Sequence, residues 1–324
     1  TGCGSKDAGA DAKPAGEAKE TEAAGSAAAS EDKGTESKGT SSKDTLIIAT
    51  ANETPSVTTN LHNATAGDYI NQMTHEGLFT SSVDLTPQPA LAESYEIVSD
   101  TEWVFKLRQG VKFHNGQEVK AADVKASLEL CKESPQVSQY GDAVESVEVI
   151  DDYTVKVTTN GPHSGLLSDL SHHGNAILPA DLIASGHDFN KEPIGTGPYK
   201  LERWDVGQAI ILTKNENYYK GAPKIDRIVF KIVPDDNAQA LQLESGELDL
   251  ALLDPKNAAQ FTGKDGFTCY DMKTSDYRGI LFNFWNDYWT ENRDIIPAIC
   301  YAIDRQAIVD AVLLGQGMPA YGPL

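Results

Sequence analysis

The sequence predicts a mixed α/β or α+β protein with more than one β-sheet, preceded by a long polar tail. Segments with strand character and segments with helix character alternate from residue 45 onward, and no internal repeat is visible. Residues 1–44 contain no Val, Ile, Leu, Met, Phe, Tyr or Trp. Such a segment cannot bury enough apolar surface to offset the entropy of ordering, so we predict a disordered tether.

The remaining 280 residues are enough for two ordinary domains or for one large two-lobed domain. The formal net charge is −21, of which the tail supplies only −3. A strongly acidic body argues against nucleic acid as a partner and against electrostatic binding to anionic lipid. No run approaches the roughly 18 apolar residues that a membrane-spanning helix needs.

The first half of the body alternates strand and helix patterns. TLIIATA at 45–51 predicts the first strand, and AGDYINQMTHEGLF at 66–79 predicts a helix that stops at Gly77. The segment at 93–116 alternates polar and apolar residues and closes on Asn-Gly, which is typical of a β-meander.

A helix and a hairpin follow. AADVKASLELC at 121–131 places Val124, Leu128 and Cys131 on one helical face. VESVEVIDDYTVKVTT at 144–159 predicts a hairpin that turns at its Asp-Asp pair.

The second half of the body predicts more of both elements. Three strands are expected within 194–204 and 207–233, a helix with a glycine stop and then a strand within 236–252, two strands within 266–285, and an apolar helix within 294–317.

Seven segments taken together resemble the family 5 extracellular solute-binding proteins, the peptide- and nickel-binding receptors of ABC importers. They occur in the family's order and cover nearly all of 45–324. The segments are HEGLF, PALAESYEI, FKLRQGVKFHNGQEVKAADVKASLE, IGTGPYKLERW, NENYYKGAPKIDRIVFKIVPD, ESGELDLA and AICYAIDRQAIVDAVLLGQGMPAYGPL.

The resemblance implies a type II periplasmic-binding-protein-like clamshell, in which two lobes enclose a solute. We expect a main subdomain of lobe I from 45–80 and 190–270, a small subdomain from 81–189, and the start of lobe II from 271–324. Because family members are much longer, we expect the second lobe to be incomplete in this chain.

Two motifs carry structural expectations. In GTGPY, Gly195 and Gly197 are expected to adopt backbone angles that other residues cannot, and the motif lacks the Lys-Ser/Thr of a phosphate-binding loop. Lys120 stands where the family usually has a threonine helix cap, so that cap is expected to be lost or moved.

The four cysteines form no CxxC pair. Cys131 and Cys300 lie in apolar helical patterns and are expected to be small core residues, although spacing alone leaves a disulfide open. Thr-Gly-Cys at 1–3 resembles the end of a bacterial lipobox, so Cys3 is the expected lipidation site. The tether would then span roughly 35–40 Å from the membrane.

The resemblance also points to ligand-binding residues in lobe I. The loop before HEGLF matches the family segment that pairs with the ligand, so we expect backbone contacts from Asn63, Ala64 and Thr65, with an ordinary solvated loop as the alternative. Tyr140 lies where members place an aromatic wall, with simple packing as the alternative.

His172 and His173 precede an expected strand, where related receptors place polar groups that face the ligand. Adjacent side chains on a strand point to opposite faces, so we expect at most one of them in the cleft and no chelating pair, even with His163 nearby. Trp285 is a candidate for stacking on the solute, with a core position as the alternative.

The function that the resemblance implies is capture of peptides and their delivery to a permease. The alternatives are a receptor for a nickel chelate, a sugar or an opine-like compound, or a truncated fragment that does not transport. An enzyme lacks support because HExxH and GxSxG are absent and the Asp-Asp pairs fall at predicted turns.

We therefore expect no catalytic residue, no metal and no cofactor. The expected partners are a peptide or other small solute, the permease and ATPase subunits of the importer, and the membrane through the lipid anchor, but not nucleic acid. The protein is expected to be a monomer outside the cytoplasm, anchored to the outer face of the cytoplasmic membrane.

Overall fold

Two four-stranded sheets organise the chain in the computed structural model, which describes residues 44–59, 65–271 and 278–320. The first sheet has the order β1-β10-β9-β8, with β1 parallel to β10 and the other pairs antiparallel. Its strands are β1 (Thr45–Thr50), β8 (Tyr199–Asp205), β9 (Ala209–Lys214) and β10 (Arg227–Ile232). The predicted first strand and the three predicted later strands are thus confirmed.

The second sheet is antiparallel throughout and has the order β4-β5-β7-β6. A short hairpin precedes it, formed by β2 (Phe79–Ser81) and β3 (Pro87–Pro89). The strands of the second sheet are β4 (Ala92–Ile97), β5 (Glu102–Leu107), β6 (Val144–Asp151) and β7 (Thr154–Thr159). The predicted hairpin of β6 and β7 is confirmed, with its turn at the Asp-Asp pair, whereas the predicted meander forms only the hairpin of β4 and β5 and, around Asn-Gly, an isolated bridge between Lys112 and Glu118.

Helices lie between and after these strands. The described ones are α1 (Thr65–Thr74), α2 (Ala121–Glu133), α3 (Leu166–Asp169), α4 (Ala180–Ser185), α5 (Asp236–Ser245), α6 (Pro255–Ala258), α7 (Asp287–Glu291), α8 (Ile295–Ala302) and α9 (Arg305–Ala311). Single 3-10 turns occupy Ser138–Tyr140 and His173–Asn175.

Each sheet has its own apolar core. Val124, Leu128 and Cys131 of α2 are buried, as the helical spacing predicts, and the first two pack with Phe105 and Val157 of the second sheet. A smaller core lies on the first sheet and includes Ile70 of α1. Burial of this kind contributes roughly 1.5–3 kcal/mol for each large aliphatic side chain.

Three predicted elements are wrong in part. Residues 247–252 form a single bridge, between Leu250 and Ile48, instead of a strand. The described residues of 266–285 form no strand, because no neighbouring strand of the described chain pairs with them. The predicted helix at 294–317 breaks into α8 and α9 at Ile303, where Asp304 caps the second helix by accepting a hydrogen bond from the N–H of Ala307, at 2.9 Å.

The prediction that Cys131 and Cys300 are core residues is correct for only one of them. Cys131 is buried, and desolvation raises the pKa of its thiol to about 12, which suits an inert core residue. Cys300 is only half-buried, so a core position for it is wrong. Cys131, Cys269 and Cys300 are free thiols. Cys3 lies outside the described residues.

Candidate functional site

A ladder of three rings in contact, one pair stacked and the other tilted by 39°, brings together residues that the sequence singled out. The ring of Tyr140 lies 3.4 Å from that of His172, centroid to centroid, with only 14° between their planes. The ring of His172 lies 4.1 Å from that of His173. At the end of the ladder, Nδ1 of His173 is 2.9 Å from Oδ1 of Asp68, in α1.

The two histidines do not point to opposite faces, so that expectation is wrong. His172 has an extended backbone, but His173 opens a 3-10 turn. The two residues therefore do not share a strand. A turn at this point rotates the second ring back over the first. Nδ1 of His172 accepts a hydrogen bond from the N–H of Gly174 at 3.1 Å, which places the proton of the neutral ring on Nε2.

Small and buried residues hold the ladder in place. A Cβ atom on Gly174 would lie 2.7 Å from Cβ of Val137, so only glycine permits this approach. Nδ2 of buried Asn175 donates to the carbonyl oxygens of Tyr140 and Asp169, at 2.9 and 2.8 Å. The segment between α2 and β6 is therefore tied to the segment that follows β7.

The other predicted ligand residues are not all brought to this place. Asn63 and Ala64 lie outside the described residues, and Thr65 begins α1, the helix that supplies Asp68. Trp285 is 97% exposed and lies in the segment before α7, and it has no ring contact with another residue of the described ranges.

The ladder combines an aromatic ring, two imidazole rings and a carboxylate, which are side-chain types found in sites for small polar solutes. It is a poor chelating site, because Nδ1 of His172 already accepts from the N–H of Gly174 and Nδ1 of His173 already lies against Oδ1 of Asp68. Within the described parts of the chain, no three His, Cys, Asp or Glu side chains are grouped as metal ligands would be.

A buried carboxylate that the sequence reasoning missed lies between the two sheets. Glu76 follows α1, and its side chain is only 8% exposed. Its Oε1 accepts hydrogen bonds from the hydroxyls of Tyr218 and Tyr219 and from Nζ of Lys220, at 2.8, 3.1 and 3.0 Å. Its Oε2 accepts from the hydroxyl of Thr196 at 3.3 Å.

Burial and the neighbouring Glu76 carboxylate raise the pKa of Tyr218 and Tyr219 well above the usual range. Both phenols therefore stay protonated and remain hydrogen-bond donors. The signal in the sequence was an acidic residue inside the apolar HEGLF segment, together with two adjacent tyrosines and a lysine in NENYYKG.

The GTGPY turn packs against the end of α1. A Cβ atom on Gly195 would lie 2.2 Å from the carbonyl oxygen of Thr74, and one on Gly197 would lie 2.5 Å from that of Met73. Neither glycine has a positive φ, so the expectation of unusual backbone angles is wrong. Close approach of two backbones is what requires glycine here.

The ring of His114 forms two hydrogen bonds with the backbone of the same turn. Its Nδ1 accepts from the N–H of Gly195 at 3.3 Å, and its Nε2 donates to the carbonyl oxygen of Gly197 at 3.1 Å. Desolvation lowers the pKa of His114 from 6.5 to about 4, so the ring is neutral at pH 7. Glu76, Gly195 and His114 thus fix the connection between the two sheets.

In the ranges that the structure describes, every helix is too short or too polar to span a bilayer.

The two Asp-Asp pairs have structural partners. Oδ1 of Asp235 accepts from the N–H of Ala238 at the start of α5, and Oδ1 of Asp151 accepts from the N–H of Tyr153 in the turn between β6 and β7.

Comparisons with known proteins agree on one family. The model for bacterial extracellular solute-binding proteins, family 5 Middle, matches residues 86–324. The glutathione-binding protein GsiB of Pectobacterium atrosepticum is 31% identical over 280 residues, which are 83% of this chain and 54% of that protein.

Two solved structures are similar as well. NikZ from Campylobacter jejuni, in complex with Ni(L-His), is 30% identical with a TM-score of 0.79 over 87% of this chain and 58% of NikZ. The oligopeptide-binding protein AppA from Bacillus subtilis, in complex with a nonapeptide, is 26% identical with a TM-score of 0.73 over 86% of this chain and 57% of AppA. The chain spans about half the length of the curated relatives that it matches.

Proposed function

The chain belongs to the bacterial extracellular solute-binding proteins of family 5, and we propose that it captures peptides for an ABC importer. Two similar proteins are described with peptide ligands, namely GsiB with glutathione and AppA with a nonapeptide. The observation that carries the proposal is the ring ladder of Tyr140, His172 and His173, which ends on Asp68 of α1.

Each part of the ladder has a role in the proposed binding. The rings of Tyr140 and His172 would contact the solute, while Asp68 holds His173, on which the ring of His172 packs. The backbone of Asn63, Ala64 and Thr65 would pair with the peptide as an added strand, which gives affinity without dependence on peptide sequence. Exposed Trp285 would stack on the solute from the second lobe.

The proposal extends to partners and location. Family members are extracytoplasmic, and we propose that this protein delivers its solute to permease and ATPase subunits as a monomer, with no enzymatic step of its own. Cys3 remains the proposed site of lipid anchoring. The two sheets support the proposed subdomains 45–80 with 190–270 and 81–189, and 271–324 is proposed to begin lobe II.

A nickel chelate is the second candidate solute. It is favoured by the bound Ni(L-His) of NikZ and by the adjacent His172 and His173. Because Nδ1 of each of these rings already has a partner in the protein, the pair is unsuited to chelating one ion, so we place peptides first.

The test is calorimetric titration of the purified protein with glutathione, a set of short peptides, and Ni(L-His). We expect peptide binding, weakened about tenfold or more by Tyr140→Ala and by His172→Ala, because each removes a direct contact. Tyr140→Phe should retain the ring stack and most of the affinity.

The matched control is His187→Ala, since His187 is also a partly exposed histidine but lies away from the ladder, against Phe189. The His187→Ala variant should bind the peptides with the same affinity as the parent protein. Binding of Ni(L-His) without binding of any peptide would reject the peptide proposal in favour of the chelate.

A further inference from the structure

The ring ladder ends on a carboxylate that the protein covers only in part. The side chain of Asp68 is 29% exposed, whereas that of its partner His173 is 6% exposed. Oδ1 of Asp68, which lies 2.9 Å from Nδ1 of His173, is itself buried. The exposed part of the Asp68 side chain is therefore not the oxygen that faces the imidazole ring.

A second histidine–aspartate pair on the segment after β7 is arranged differently. Nε2 of His163 lies 2.7 Å from Oδ2 of Asp169, and the two side chains are 35% and 25% exposed. Both members of that pair reach solvent. The pair at the end of the ladder instead hides its imidazole ring and presents its carboxylate, so a solute held at the ladder would meet a negative group there.

The position of Asp68 in the chain places it near one end of a bound peptide. Asp68 lies in the first turn of α1, which begins at Thr65. Three residues of helix rise by roughly 4.5 Å, so Asp68 is close to the backbone of 63–65 that is proposed to pair with the peptide. A partly buried carboxylate attracts a cation more strongly than one in open water, and its hydrogen bonds to an ammonium group are charge-assisted.

We propose that Asp68 selects solutes that carry a primary ammonium group, by accepting a charge-assisted hydrogen bond from it. The proposal rests on the proposed function and names the class of peptide as one with a free amino terminus. The net charge of −21 acts in the same direction, because it raises the local concentration of cationic solutes.

The test is calorimetric titration of the full chain with tri-, tetra- and penta-alanine and with their N-acetylated forms. Alanine peptides have no charged side chain, so acetylation removes their only cationic group. We expect acetylation to weaken binding to the parent protein about tenfold or more, because a hydrogen bond between two charged groups is lost. In Asp68→Asn, which keeps an oxygen for His173, the free and acetylated forms should bind within about twofold of each other.

The matched control is Asp169→Asn, since Asp169 is a carboxylate of similar exposure that also faces a histidine. It should keep the parent's preference for the free amino terminus. Asp68→Glu retains the charge and should keep a preference as well. Thermal unfolding of each variant shows that it is folded before its affinities are compared.

Equal affinities of the parent protein for free and acetylated peptides would overturn the proposal, and this comparison needs no variant. A full preference for the free forms in Asp68→Asn would also overturn it, since another group would then read the ammonium. If neither form of any peptide binds, the proposed peptide function fails and this proposal fails with it. Peptide binding that ignores acetylation rejects this proposal alone.

Discussion

Gly195 and Gly197 lie where two backbone segments approach more closely than any side chain would permit. The neighbouring atoms are carbonyl oxygens of Met73 and Thr74 and the ring of His75, none of which is a flexible side-chain end. Sequence alone identified both glycines as special but gave the wrong reason. Local pattern can reveal an unusual turn, whereas the distance to a segment over 100 residues away is a property of the folded chain.

Gly195→Ala should therefore destabilise the protein by about 2 kcal/mol or more, because the added methyl group would overlap backbone atoms. The measurement is urea unfolding at pH 7. Gly161→Ala is the control, since a Cβ atom there has no atom within 4 Å and Gly161 does not have a positive φ. Equal stabilities of the two variants would contradict the close-approach argument.

At the scale of elements, Asp123 joins two helices that are distant in sequence. Its Oδ2 accepts from the N–H of Lys120 at the start of α2, at 2.7 Å, and its Oδ1 accepts from the N–H of Ala180 at the start of α4, at 2.8 Å. The side chain of Lys120 makes no cap bond to α2, so the threonine-type cap is lost, one of the two outcomes that the sequence left open, and Asp123 instead satisfies the N–H of Lys120 itself. Burial raises the pKa of this carboxyl group, against the effect of its two backbone donors.

Asp123→Asn tests this shared cap. An asparagine side chain can accept with only one of its two groups, so one backbone N–H would face an NH2 group in a buried place. We expect a loss of about 2 kcal/mol in the free energy of unfolding. Glu129→Gln, an exposed change on the same helix, should alter it by less than about 0.5 kcal/mol; a similar loss in both variants would contradict the role of Asp123.

Element prediction succeeded where the pattern is local and failed where it depends on partners. The spacing of Val124, Leu128 and Cys131 is enough to place α2 and its buried face. A strand also needs a neighbour to accept its backbone hydrogen bonds, and the described residues of 266–285 have none. The apolar run after residue 294 predicted one helix, but Asp304 is a good cap and starts a second.

At the scale of the whole molecule, the family segments predicted more than composition could. They led to the fold class and to three members of the ring ladder, Tyr140, His172 and His173. The ladder also needed Asp68, and the link between the sheets needed Glu76 and His114. These contacts join residues far apart in sequence, so no periodicity marks them.

His114 makes the stability of this link depend on pH. The pKa of His114 falls from 6.5 to about 4 on folding, because burial disfavours the charged ring. Folding therefore favours the neutral form, and the resulting stability is fully present above about pH 6.5. It is lost as the pH falls toward about 4, since a protonated Nδ1 can no longer accept from the N–H of Gly195.

The loss attributable to His114 between pH 7 and pH 4 should be at most about 3 kcal/mol. Other groups titrate in the same range, so the measurement is the difference between the parent protein and His114→Gln in urea unfolding at each pH. Glutamine can donate and accept without titrating, so the parent should lose more stability than the variant on acidification. Parallel pH profiles for the two proteins would show that His114 does not control the acid stability of the link between the sheets.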